Sequence, residues 1–492
     1  MSEEGSAIVV GGGFGGLSCA CFLADVGLDV TVLEKNEQLG GRAAVLERDG
    51  FRFDMGPSWY LMPDVFERFF SQFDRSPTDY YDLERLDPRY RLFFKDGDRI
   101  DVTDDFAAMQ ATFEEYETGA GQALASYLQT ASEHYEVAME EFVYTERGRW
   151  RDWLDPSILA AAPVGIRLLG TMDRYVSKYF EEPKLQQILL HSLVFLGGAP
   201  RNTPALYSMM AHVDFGMGVY YPTDGIGGVV DGIATLAEEL GVTFETDAPV
   251  QAIRRNGNRL SVATPTETHV APIVVSNADY AHTELELLSA ADRQYDESYW
   301  DSRTLAPSAL LIYLGVKGDV EPLAHHTLVL PEDWDPHFDR IFESPGWPEN
   351  PAYYVCAPSV TDPDIAPDGH GNLFVLVPLA PGLDPDQATL DHWRDEILAD
   401  LADNTGVDVR DRIVLEERFS VQDFAERYHS YRGTALGLAH TLKQTAIMRP
   451  DRRSSACPGL YYTGSYTTPG IGMPMCLISG EHTAKAAIAD IA

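Results

Sequence analysis

Residues 7–10 form an unbroken apolar run, AIVV, that leads with no spacer into Gly11-Gly12-Gly13-Phe14-Gly15-Gly16 and then into a helical pattern from Leu17 to Val26. An apolar strand meeting glycines in the order G-x-G-x-x-G, followed by a helix, is the opening of a dinucleotide-binding βαβ unit. Gly11 permits the tight turn, Gly13 lets a pyrophosphate approach the backbone, and Gly16 lets the helix pack against the strand. Phe14 and Gly15 open the helix, whose free N–H groups face the phosphates. A second strand, 29–33, ends in Glu34, about 20 residues beyond the first glycine. There a carboxylate accepts hydrogen bonds from the adenosine ribose hydroxyls, which disfavours NADP.

Two further segments separate a flavin dinucleotide from a nicotinamide one. In Leu39-Gly40-Gly41-Arg42 the glycine pair brings the chain close to a cofactor, and Arg42 offers a rigid fork of donors. Asp54-Met55-Gly56-Pro57-Ser58 follows, with Asp54 and Gly56 read as cofactor contacts. Near the C-terminus a strand ends at Gly464, and Pro469-Gly470-Ile471-Gly472-Met473-Pro474 leads into a helix starting near Pro474. The positive end of that helix would stabilise negative charge on the N1 and O2 edge of a reduced flavin, which places Gly464, Gly470, Gly472 and Met473 at the cofactor. FAD is the expected cofactor.

The chain of 492 residues holds 76 acidic and 37 basic residues, a net charge of -39. Such a surface repels a phosphate backbone, so no nucleic-acid partner is expected. The acids are spread along the chain, which reads as adaptation to high salt. Five cysteines and 13 histidines show no metal-ligand spacing, and no metal is inferred. The polar start MSEEGSA does not resemble a signal peptide, and no uncharged apolar run of about 18 residues predicts a membrane span. The expected location is the cytoplasm, peripherally on the membrane, with the stretch from Ile158 to Leu169 as the membrane-contact candidate or, more in keeping with a buried helix, a pocket lining.

Residues 105–195 read as a mostly helical inserted cap, whereas 285–415 alternate strand-like runs with loops. A glycine-rich turn at 220–228 precedes a helix, and 273–276 is a strand ending in polar residues, so the chain returns to the cofactor unit. The expected architecture is α/β. A discontinuous Rossmann-like FAD-binding domain (1–75, 220–284 and 416–492) carries a mixed sheet-plus-helix substrate domain (76–219 and 285–415).

With GGGFGGL, LGGR, FDMGPS (53–58), YPTDGIGGVVDGI (221–233), VVSNADYAHT (274–283), APSVTDPDIAPDG (357–369) and TTPGIGMP (467–474) in place, the chain resembles the bacterial-type phytoene desaturases over nearly its whole length. The resemblance implies an amine-oxidase-like flavoprotein acting on long carotenoid chains drawn from a membrane, with oxygen or a quinone as terminal acceptor. Family members often carry Gly-Ala-Gly-Thr-His-Pro-Gly at 464–470 and Arg-Gly-Gly at 223–225, where this chain departs. Phytoene desaturation and a later 3,4-desaturation, as in bacterioruberin synthesis by haloarchaea, both fit.

The chemistry expected is hydride transfer from an allylic carbon to flavin N5, followed by proton loss from its neighbour. Asp152, Asp214 and Asp224 are candidate carboxylates to take the proton or steady the cation, each set against a plain surface role. Tyr220, Tyr221 and Tyr466 are candidate aromatic faces, set against core packing. A carotenoid isomerase or saturase on the same scaffold is the alternative. An amine oxidase, which needs a polar, aromatic-caged site, fits the later motifs less well.

Overall fold

The computed structural model describes residues 5–145 and 170–491. Its first sheet is wholly parallel, in the order Leu460–Tyr462, Ile273–Ser276, Ser6–Val10, Asp29–Leu33, Thr243–Glu245. Strands of such a sheet are covered on both faces, which is why they are apolar without alternation. Ala7, Val9, Val30, Val32, Ile273 and Val275 share a core with the helices Phe14–Asp25, Gly225–Glu239 and Met473–Ile491. Ile8, Val10, Leu33 and Val274 face a three-stranded antiparallel sheet, Ala252–Asn256, Arg259–Ala263 and Thr268–Ala271. The helix Phe14–Asp25 is buried from Phe14 to Ala24, so Cys19 and Cys21 serve as packing residues whose thiols burial holds in the neutral form.

The second sheet has seven strands in the order Ile413–Phe419, Ser308–Lys317, His370–Leu379, Tyr353–Cys356, His326–Leu330, Tyr90–Phe94, Arg99–Val102. Every pairing is antiparallel except His326–Leu330 with Tyr90–Phe94. Period-two alternation sorts its side chains. Leu310, Ile312 and Leu314 pack on Trp393, Ile397 and Leu401 of the helix Gln387–Thr405, while Leu311 and Tyr313 face the opposite side. That opposite side meets a helical layer that includes Phe106–Tyr116, Ala120–Val137 and Pro183–Leu190, as the pattern over 105–195 predicts for the part described. Among the described residues no helix is long and apolar enough to cross a membrane. Asp152 and the stretch from Ile158 to Leu169 lie outside the described residues.

Candidate functional site

The parallel strands end at Val10, Leu33, Ser276 and Tyr462, and the loops that follow form one end of a cavity of about 750 Å³. Ligands of open parallel sheets bind at this carboxyl edge. The cavity runs on from Gly11, Gly13 and Glu34 into an apolar arm. Leu311, Leu328, Leu330 and Leu376 of the mixed sheet form one side, and Val137, Met139, Met209 and Met210 of the helical layer the other.

The cofactor end is built from backbone. Gly12 donates its N–H to Glu34 Oε2 at 2.8 Å, so the acid at the end of the second strand fixes the glycine loop. Its other oxygen accepts from the N–H of Asn36 at 2.8 Å and the Asn36 amide at 3.0 Å. A carboxylate has about four acceptor sites, so capacity remains for a ribose hydroxyl. Phe14 and Gly15 line the cavity, and no side chain caps the helix at Gly13, which leaves its opening N–H groups available to a phosphate. Gly16 does not line the cavity. A Cβ there would stand 2.1 Å from the Gly11 carbonyl oxygen, so its role is the close packing read from the sequence.

Gly41, Arg42 and Gly56 also reach the cavity. Arg42 donates from Nη2 to Ser430 Oγ at 2.8 Å, while its Nε is buried with no partner, as fits a donor awaiting an anionic ligand. Asp54 stands elsewhere. Its carboxylate accepts from the N–H groups of Ile226 (2.9 Å) and Gly227 (3.0 Å), so it caps the helix Gly225–Glu239 and touches no part of the cavity wall. Burial pushes its pKa up to about 6. From later in the chain Gly464, Gly472 and Met473 also line the cavity, with the helix Met473–Ile491 starting there as expected. Gly470 sits behind them with φ of 131°, where a Cβ would lie 2.3 Å from the ring of His440.

Of the carboxylates read as catalytic candidates, the two that are described, Asp214 and Asp224, do not line the cavity. Asp214 is buried behind its wall, accepts the Tyr90 hydroxyl at 2.7 Å, and has its pKa raised by burial. Asp224 is exposed, in a left-handed conformation at the start of the helix Gly225–Glu239, and its carbonyl accepts from Arg52. Among the described residues the acids on the wall are Glu34 and Asp279. Asp279 is engaged by the Tyr466 hydroxyl at 2.6 Å and the Tyr431 N–H at 3.2 Å. Tyr466 lines the cavity, whereas Tyr220 and Tyr221 turn away to hydrogen-bond Met217 and Asp362.

Three features of the site escaped the sequence reading. Asn277 follows the strand Ile273–Ser276 and wedges between the glycine loop and Gly464, where Cβ atoms on Gly13, Gly15 and Gly464 would meet its amide at 2.9, 2.8 and 2.6 Å. In the second, the N–H of Ile471 donates to His440 Nε2 at 3.0 Å. Burial and Arg449 keep that ring neutral, so Nδ1 carries the hydrogen and donates it to the Tyr207 hydroxyl. In the third, Trp59 stacks on His326 at 4.1 Å between ring centres, and Tyr354 bridges His326 Nδ1 (2.6 Å) and Ser58 (2.8 Å).

A glycine loop held by an acid, a cradle with an unpartnered arginine nitrogen, and a helix aimed at the same cavity define an FAD-binding oxidoreductase. The chain matches the family model described as flavin containing amine oxidoreductase over residues 14–488, and it belongs to that family. It is 65% identical to a carotenoid 3,4-desaturase of Haloarcula japonica over 98% of both chains. It is 33% identical to a zeta-carotene-forming phytoene desaturase of Myxococcus xanthus, covering 96% of this chain and 92% of that one. Among solved structures, an oxidoreductase from Methanosarcina mazei superposes with a TM-score of 0.63 at 16% identity, over 98% of this chain and 100% of that one. That likeness concerns the fold.

Proposed function

We propose that this protein is a carotenoid desaturase that removes two hydrogens across the 3,4-bond of a long polyisoprenoid chain. The observation that carries the reading is one continuous cavity in which the dinucleotide loops open directly into an arm walled by leucine, valine and methionine. An amine would find no such welcome, whereas a polyene is matched along its length. The identity of 65% to the Haloarcula enzyme supports the 3,4-position over phytoene.

Bound FAD supplies the hydride acceptor. The residues of the chain do the rest. Glu34 and the glycine loop would hold the adenosine and pyrophosphate, Arg42 would add positive charge, and the start of the helix Met473–Ile491 would favour negative charge on the reduced flavin. The apolar arm excludes water and fixes which bond lies at the ring, and orientation of this kind can lower a barrier by several kcal/mol. Tyr466 and Trp59 offer aromatic faces to a developing cation. In this reading the segments 1–75, 220–284 and 416–492 hold the cofactor, supported by the five parallel strands drawn from them, and 76–219 with 285–415 hold the substrate. Peripheral association with a membrane and transfer of electrons to oxygen or a quinone complete the proposal.

The test is incubation of the FAD-loaded protein with liposomes in molar salt, with phytoene in one sample and a 3,4-dihydro late carotenoid in another. Conversion of the late carotenoid to a product absorbing at longer wavelength is expected. Conversion of phytoene alone would move the assignment to the early step, and isomerised products without added double bonds would overturn desaturation.

A further inference from the structure

We propose that the turn from Thr441 to Met448 is a membrane-docking lip at the mouth of the cavity, seated on an anionic lipid surface; the proposal rests on the reading of an apolar, lipid-borne substrate. Leu442, Thr445 and Ala446 line the cavity from inside. From the same short turn Leu442, Ile447 and Met448 stand out to solvent, with relative exposures of 41%, 58% and 54%. Other exposed large apolar residues, such as Val26 and Val414, do not line the cavity. Single exposed apolar residues need no explanation, but a group of them around a cavity edge marks an interaction site.

The turn is held in this posture. Gln444 is buried, accepts from the Thr304 N–H at 2.8 Å and donates to the carbonyls of Thr304 (2.8 Å) and Ala439 (3.2 Å). Arg449, also buried, donates to the carbonyls of Gln444 and Leu438, both at 3.2 Å. Between these anchors Ala446 adopts a φ of 51°, a conformation an alanine side chain disfavours. The anchors therefore fix a strained turn with its apolar tips outward, where a slack loop would fold them in.

Charge selects the occupant. From Arg427 to Gly480 the sole acidic residue is Asp451, in a chain of net charge -39; of the basic residues there Arg427, Arg432 and Arg453 are paired with Glu37, Asp301 and Asp490 and Arg449 is buried, so Lys443 is the cation that the lip itself presents. Lys443 is exposed at the tip of the lip. Three exposed apolar residues around an exposed lysine, in a stretch nearly free of acids, suit the acyl and headgroup layers of an anionic bilayer. A carotenoid entering past Leu442 and Ala446 would pass from lipid to cavity without crossing water.

The experiment compares the native holoenzyme with Ile447→Ser/Met448→Ser and, as a control, Val26→Ser/Val414→Ser. Flotation is measured in molar potassium chloride with phosphatidylglycerol vesicles and with phosphatidylcholine vesicles, where capture by the anionic vesicles should be the greater and equal capture would overturn the anionic assignment, and turnover is measured with the carotenoid held in the phosphatidylglycerol vesicles or in detergent micelles. The lip variant should lose at least ~10-fold in flotation and in turnover from vesicles while keeping its turnover from micelles, and the control should float as the native protein does. Native protein that does not float, a lip variant that floats normally, or a control that fails equally would each overturn the proposal. So would uptake from a protein carrier by a native enzyme that ignores vesicles. Flotation is read without catalysis, so the absence of carotenoid turnover in either medium would defeat the functional reading and leave the lip to be judged on its own.

Discussion

Glu34 carries two duties on one carboxylate, and its replacement separates them. It anchors Gly12 and, in the proposed complex, accepts from ribose. Hydrogen bonds to a charged group contribute about 1.5–3 kcal/mol each. Glu34→Ala should therefore raise the dissociation constant for FAD by about 10- to 100-fold, since each 1.4 kcal/mol is tenfold, as followed by flavin fluorescence during titration. An unchanged constant would confine Glu34 to bracing the loop. Residues of this type were legible in the sequence because the glycine loop imposes its own spacing on a local stretch of chain. Asp54 misled for the opposite reason: an acid beside glycines and a proline reads as a ligand contact, but its partners are N–H groups some 170 residues away. Tyr207 and His440 are 233 positions apart and were not visible as a pair in any local pattern.

At the scale of elements, the strands and helices of the parallel sheet were legible because apolar runs, glycine turns and helical periodicity agreed. The way the last helix is tied down was not. Glu481 is 3% exposed in its side chain, on the helix Met473–Ile491, and takes Arg68 of the helix Pro63–Ser71 in a two-pronged ion pair at 2.6 and 2.9 Å, with Lys485 at 2.6 Å. Burial opposes its charge, but Arg68 and Lys485 outweigh burial and bring the pKa down to about 2 from the ordinary 4.5. A depressed carboxyl contributes stability that is present above the unfolded value and lost as the folded group protonates, here between about pH 4.5 and 2. Glu481→Gln should destabilise the holoprotein at neutral pH by about 1–3 kcal/mol, and its difference from the native protein should shrink as pH falls through that window. Thermal melts at a series of pH values would measure this, and a difference independent of pH would assign the loss to packing rather than to the ion pair.

For the molecule as a whole, charge is the dominant fact. With 76 acids against 37 bases, even if every basic group were paired, 39 acids would have no basic partner of their own. The described ion pairs are mostly at the surface, and such pairs contribute only about 0–1 kcal/mol each, so they do not offset the repulsion among the remainder. At 0.1 M salt the screening length is about 10 Å, long enough for neighbouring surface carboxylates to repel one another; at 1 M it is about 3 Å, and that repulsion is largely removed. The compact state gathers these charges more closely than the unfolded chain does, so screening favours folding. The melting temperature should therefore rise as potassium chloride increases from 0.1 to 2 M. A relief of a few kcal/mol corresponds to about 2–5 °C in a chain of this length, readable by calorimetry with FAD held in excess so that cofactor loss does not contribute. Sodium and potassium chloride should act alike if screening is the cause, because the argument invokes ionic strength and no specific ion site. A melting temperature flat in salt would show the excess acids to be far enough apart to ignore one another, and the acidity of the chain would then need another physical reason.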